Sequence, residues 1–260
     1  MPTSPTRLEF ERRGAILRVW LNRPEKRNAL DTAALEEIAE LFTRLQTEFE
    51  TRVVVLGGRG PSFCGGADRG NPPGVARMLA SSGAGERERR HAAQIGLRAC
   101  RAIADVEAVT IARVHGHAVG GGFALALACD LRIAADSALF HVPEVDLGVP
   151  LTWGAAPRLI DEVGVARARE ILLLCDRFGA ARAEHWGVVH RSVPEAELDA
   201  AVDDWAERIA AKPEIAVHMT KTQIRAYGQR AVLGDVTEFD GDLLLGSSRV
   251  GVARNSFRVK

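Results

Sequence analysis

Along the first part of the chain the hydrophobic pattern changes period repeatedly, and each change predicts an element. LEFER and AILRVWL alternate or run apolar on either side of Arg13-Gly14, the signature of a β-hairpin. From Asp31 the segment DTAALEEIAELFTRLQTEF places Leu35, Ile38, Leu41, Phe42, Leu45 and Phe49 three or four residues apart. That spacing predicts an amphipathic helix with Asp31 as its cap. RVVVLGG then reads as a short β-branched strand, and RGPSFCGGADRGNPPG as loop. Residues 71–90 are the most polar and least patterned and read as a mobile flap, overlapping the start of a helix predicted over about 86–104. A second buried strand, AVTIARV, runs into HGHAVGGGFALALACD, where three glycines stand against an apolar run of helical character. DLRIAA and ALFHV read as further strands, and from Trp153 onward the chain reads as helical except at GVVHRSV. Strand and helix therefore alternate over about 145 residues before a helical C-terminal third, which makes the fold α/β.

Composition narrows the partners. A 260-residue chain with 47% hydrophobic and 26% charged residues is long enough for one large domain, or a domain with an extension. Thirty-four basic residues balance 34 acidic ones, so no global field draws the protein to nucleic acid or to an anionic membrane. The longest weakly polar run, 118–135, is interrupted by Asp130 and Arg132, and the first residues carry no apolar stretch of signal-peptide length. The expectation is a cytoplasmic protein. Cysteines 64, 100, 129 and 175 lack paired or metal-like spacing and read as reduced, buried packing residues.

The chemistry is sought where strands meet glycines. The chain has no G-x-G-x-x-G, no G-x-x-x-x-G-K-[ST], no G-x-S-x-G and no H-E-x-x-H, so nucleotide and zinc-hydrolase readings lose their support. What remains is a matched pair: RVVVLGG feeds SFCGGAD, and AVTIARV feeds HGHAVGGGF. Glycine lets an oxygen approach backbone N–H groups without meeting a Cβ, and a helix start adds partial positive charge. Two such N–H groups from separate turns can bracket one oxyanion. Each turn on its own is also compatible with ordinary loop punctuation.

These residues resemble the enoyl-CoA hydratase/isomerase, or crotonase, superfamily over nearly the whole chain. LNRPEKRNALD (21–31) is similar to its coenzyme A segment and FCGGAD (63–68) to its first oxyanion turn. VHGHAVGGGFALALACDLRIAA (114–135) is similar to its second, and FHVPEVDLGV (140–149) to its acid/base segment. The resemblance implies a spiral of repeated ββα units, with a core over 1–195 and a helical region over 196–260 for oligomerisation and active-site cover. It implies oxyanion N–H groups on Ala67 and Gly121. It also implies that Arg23, Lys26, Arg27 and Ala29, with Asp68 nearby, line the coenzyme A site. Coenzyme A enters as part of an acyl thioester substrate, so no separate cofactor is expected. Trimers or dimers of trimers are implied, and helices such as DDWAERIAAK and PEIAVHMTKTQI supply apolar surface for them.

One position departs from the hydratase pattern. Hydratases of the family carry two glutamates that hold a water, the first of them two residues after the third glycine. Here that position is Ala124, which can neither take a proton nor hold a water, whereas the second glutamate is present as Glu144. One carboxylate suffices to move a proton from C2 to C4 of an enoyl thioester, as in the single-glutamate Δ3,Δ2-enoyl-CoA isomerases. The family's dienoyl-CoA isomerases add an aspartate at the position of Thr152, which speaks against that chemistry. A hydratase with atypical water positioning and a catalytically silent acyl-CoA binding protein are the alternatives. Asp146 is a candidate second acid; His115, His117 and His141 read as structural histidines, and Trp153 and Trp186 as core or acyl-pocket walls.

Overall fold

The computed structural model describes residues 6–74, 83–228, 240–242 and 245. Strands β1 (Leu8–Arg13) and β2 (Ile16–Leu21) form the predicted antiparallel hairpin. β2 then pairs in parallel with β3 (Val53–Gly58), β3 with β4 (Val109–Val114), β4 with β6 (Leu131–Ala135) and β6 with β9 (Arg191–Val193). The result is a six-stranded sheet in the order β1-β2-β3-β4-β6-β9. A second sheet, β5-β7-β8, is built from His117–Val119, Leu139–His141 and Phe178–Gly179. Two of its three strands, β5 and β8, are absent from the sequence reading because strands of two or three residues carry too little pattern.

The large sheet is covered on both faces, which is why β3 is buried at every position. Side chains alternate across a strand. Val54 and Leu56 join the core containing helix α1 (Thr32–Leu45), whereas Val53 and Val55 meet Leu198, Val202 and Ala206 of the C-terminal helix Leu198–Ala210. The Asp31 cap is as expected, its Oδ1 accepting from the Ala34 N–H at 2.9 Å. Phe49 lies beyond the end of α1 and is 73% exposed, so the helical face read from the sequence ends at Leu45.

Residues 86–90, read as flap and as helix start, are the first turns of α2 (Glu86–Ala93). α3 (Ile95–Asp105) follows after a break at Gln94 and packs with α1 in the main core. Residues 75–82 of the flap lie outside the described residues. α4 (Gly121–Ala128) is buried throughout. α5 (Ala155–Leu174) is kinked at Gly164, and α6 (Ala180–Trp186), α7 (Leu198–Ala210) and α8 (Glu214–Gly228) follow it. α7, which begins just after residue 195, packs on the large sheet. Among the described residues no helix is long and apolar enough to cross a membrane.

Candidate active site

Strand pairing brings the two glycine turns together. In the parallel bridge of Leu30 with Ala67, Leu30 N–H donates to Gly66 O and Asp68 N–H to Leu30 O, both at 2.8 Å. The N–H of Ala67 itself then faces away from Leu30. A second parallel bridge joins Cys64 to Ala118, closing the turn against β5. Gly66 has φ of +92°, and a Cβ there would fall 2.7 Å from Val119 O and 3.8 Å from the Gly121 nitrogen. Gly66 thus passes directly over the start of α4, which puts its neighbour Ala67 on the turn beside Gly121.

Gly121 opens α4 without a side-chain cap, and the first helical hydrogen bond is Ala124 N–H to Gly120 O at 2.9 Å. Among the described residues neither Ala67 N–H nor Gly121 N–H has a backbone or side-chain acceptor. The Gly121 N–H, at a buried helix start, suits an anionic oxygen.

Glu144 reaches the same place through the second sheet. β5 and β7 run parallel with Val119 opposite His141, and Gly120 N–H donates to His141 O at 2.9 Å. Three residues past His141 the chain turns, with Leu147 and Val149 N–H both donating to Glu144 O at 3.0 Å. This sets the carboxylate against Gly120, whose φ of +49° and missing Cβ make room for it. Glu144 Oε2 is shielded from solvent and, among the described residues, has no hydrogen-bond partner. Burial disfavours its charge, and the carboxyl pKa is pushed up to about 7.

The other predicted residues fall into distinct groups. The Arg23 guanidinium donates to Ala29 O at 2.6 Å and Asp68 Oδ2 at 2.9 Å, and pairs with Asp31 at 3.4 Å. Asp68 is buried and also accepts from Gly70 and Asn71 N–H. Burial opposes its ionisation, yet Arg23 and those N–H groups hold its carboxyl below the ordinary value. Arg23 and Asp68 thus brace the turn that carries Ala67. Lys26 and Arg27 are exposed and Ala29 half-buried, on the loop beside that turn; Gly65 N–H donates to Arg27 O at 2.8 Å.

Ala124 is 1% exposed. It lies one helical turn below Gly120 and Gly121, on the face they share. Asp146 is exposed. His115 is buried, with Nε2 2.8 Å from Gly60 O and Nδ1 3.0 Å from Arg113; burial lowers its pKa. His117 Nδ1 lies 3.1 Å from Ser62 Oγ. Trp186 packs on Phe178 at 5.2 Å, in a cluster that continues to Phe123 and Phe140.

Asn28 was not singled out in the sequence. It is buried in a left-handed conformation (φ +56°), its Nδ2 donating to Arg59, Ser62 and Phe63 carbonyls and its Oδ1 accepting from Arg23 N–H. An Asn ahead of an apolar step, in a loop with no helix to cap, is the signal that could have found it. A cleft of about 1330 Å³ lies elsewhere, lined by residues such as Asp130, Arg158, Lys221 and Arg225; none of Ala67, Gly121 and Glu144 lines it.

Two N–H donors without acceptors among the described residues and one desolvated carboxylate thus lie around the start of α4, an arrangement able to hold an anionic oxygen near a carboxylate. The family model "Enoyl-CoA hydratase/isomerase" matches residues 11–246, which span both turns and Glu144. The chain belongs to the enoyl-CoA hydratase/isomerase family. It is 35% identical to a crotonyl-CoA hydratase of Syntrophomonas wolfei over 215 residues, 82% of this chain and 78% of that one. It is 31% identical to the peroxisomal Delta(3,5)-Delta(2,4)-dienoyl-CoA isomerase of Arabidopsis thaliana over 211 residues, 80% of this chain and 76% of that one. The fold is that of a solved enoyl-CoA hydratase from Mycobacterium avium subsp. paratuberculosis, with a TM-score of 0.84 at 27% identity, covering 96% and 94% of the two chains. The expected crotonase-type α/β fold is thereby shown, and the chain is an acyl-CoA enzyme of this family.

Proposed function

We propose that the protein isomerises an enoyl-CoA by moving its double bond from C3–C4 to C2–C3. The thioester oxygen sits between the N–H groups of Ala67 and Gly121, and Glu144 is the only proton shuttle. The ionised Glu144 takes the C2 proton, and the released electron pair forms an enolate whose charge the two N–H groups stabilise. The protonated Glu144 then delivers the proton to C4 as the double bond settles between C2 and C3. A pKa of about 7 suits a group that must both accept and return a proton near neutrality.

One observation carries this reading: Glu144 faces the glycine turn with an unpartnered, solvent-shielded oxygen, while the position below it is the buried Ala124. Asp68 is committed to Arg23 and Asp146 is exposed, so neither offers a second carboxylate. Hydration is the second reading, favoured by relatives named hydratases, among them the crotonyl-CoA hydratase of Syntrophomonas wolfei. Lys26 and Arg27 are proposed to meet the phosphates of coenzyme A, and Ala29 its adenine. The assembly is proposed to be a trimer or a dimer of trimers, in the cytoplasm.

The experiment is a panel of 3-enoyl-CoA, 2-enoyl-CoA and saturated acyl-CoA, with turnover and binding followed separately. Isomerisation of the 3-enoyl substrate is expected to dominate. Hydration of the 2-enoyl substrate at comparable rate would favour the second reading, and binding without turnover of any member would make the protein a silent acyl-CoA binder.

A further inference from the structure

Trp153 has φ of +61°, in the left-handed region that bulky residues rarely enter. Its indole is nearly buried and occupies a slot walled by two glycines. A Cβ on Gly96 of α3 would fall 2.0 Å from Cε2 and 2.3 Å from Nε1 of the indole. A Cβ on Gly121 would fall 2.3 Å from Cζ3 and 2.6 Å from Cη2. One half of the ring therefore lies on α3, and the other on the residue whose N–H opens α4. The adjoining backbone is held as well. Gly154 N–H donates to the buried Asp240 carboxylate, and Arg158 donates to Gly154 O at 2.9 Å.

Gly120 faces Glu144 and Gly121 faces Trp153, so the peptide joining them is gripped between a carboxylate and an indole. That peptide supplies the Gly121 N–H. Consecutive glycines are the least restrained backbone a chain can offer, yet a donor to a developing oxyanion must not swing. A strained conformation persists only where its surroundings over-determine it, and such strain gathers at functional sites.

We infer that Trp153 is a positioning residue for the proposed reaction, acting through Gly121 to hold its N–H on the enolate oxygen. This assignment rests on the isomerase reading only in needing an enolate between Ala67 and Gly121. Its test uses a 3-oxoacyl-CoA, whose acidic C2 proton passes to the Glu144 carboxylate while the C–H electron pair becomes an enolate with its own ultraviolet band. No other reactant is needed.

Wild type, Trp153→Phe and Trp153→Ala are compared by enolate absorbance, by affinity for a saturated acyl-CoA, and by kcat and KM on the best enoyl-CoA. Trp153→Ala is expected to lose about 10–100-fold in enolate formation and kcat, with KM and saturated acyl-CoA affinity nearly kept. Trp153→Phe is expected to restore most of the loss. If Trp153→Ala keeps its enolate and kcat and loses only thermal stability, Trp153 is packing and the assignment falls. Equal loss of saturated acyl-CoA binding overturns it too. Should Trp153→Ala not fold, Asp240→Asn, which loosens the backbone behind the indole, is expected to show the same kcat-selective loss; unaltered kcat there counts against the assignment. Wild type giving neither enolate nor turnover sinks the proposed function itself and takes the assignment with it.

Discussion

The Glu144 carboxylate lies so close to Gly120 that a Cβ on the glycine would fall 2.6 Å from Oε1 and 3.5 Å from Cδ. Gly120 also has φ of +49°, so two independent constraints require glycine there. Gly120→Ala is expected to cost ~1–3 kcal/mol of stability and to displace the carboxylate, lowering kcat at least ~10²-fold. Chemical denaturation and steady-state kinetics on the same preparation check both effects.

Glu144→Gln removes the base while leaving the shape of the site nearly unchanged. Turnover is expected to fall roughly 10²–10⁴-fold with acyl-CoA affinity nearly retained. In wild type, kcat/KM is expected to rise with pH through about 7, because the free enzyme must carry an ionised Glu144 to begin the reaction. A pH profile flat across that region would remove Glu144 from the role of base.

The same carboxylate makes a second, opposite prediction for stability. Its pKa is raised from 4.5 to about 7 by burial, so between those values the folded state keeps a proton that the unfolded chain has released. Folding stability from this group is therefore complete below about 4.5, falls as pH rises to about 7, and stays reduced above it. Glu144→Gln is expected to be more stable than wild type by on the order of 1–3 kcal/mol above pH ~8, with the difference shrinking toward acid. Urea midpoints at several pH values measure it.

Ala124→Glu puts a carboxylate into a position only 1% exposed. A stability loss of ~2–4 kcal/mol is expected from overpacking and desolvation. Hydration of a 2-enoyl-CoA is expected to rise above wild type, though modestly, because an unsupported side chain is poorly placed. Stereospecific hydration assays of wild type, Ala124→Glu and Ala124→Gln test this. Strong hydration by wild type that neither substitution alters would show that Ala124 does not mark the choice between reactions.

Arg23 and Lys26 are three residues apart and are expected to fail differently. Arg23→Ala leaves Asp68, at 6% exposure, without its guanidinium, and is expected to cost ~1–3 kcal/mol and to lower kcat by loosening the turn that bears Ala67. Lys26→Ala and Arg27→Ala are expected to raise KM for acyl-CoA in a salt-dependent way, with kcat and stability kept. Kinetics at low and high ionic strength separate the two groups. Sedimentation at micromolar concentration is expected to show a trimer or hexamer; a 28.1 kDa monomer alone would refute it.

The sequence by itself determined the elements with a sustained period. The hairpin around Gly14, the capped helix after Asp31 and the all-apolar strand of Val53–Gly58 each follow from local pattern, because a two-sided burial or a helical stripe repeats over enough residues to be read. It also supplied the two glycine turns, Glu144 and the departure at Ala124, which are matters of residue type and order. Only the tertiary structure decided which groups meet. β5 is three residues long, yet its register against β7 is what sets Glu144 beside Gly120. The contacts of Arg23 with Asp31, Asp68 and Ala29 are likewise set by the fold and not by its neighbours in sequence. Trp153 gave no sign of its left-handed backbone, since the groups that its indole and the adjoining peptide meet, Gly96, Gly121 and Asp240, lie far from it in sequence. Periodicity is a property of neighbours along the chain, whereas pKa, strain and the aim of an N–H group depend on what the fold packs against them.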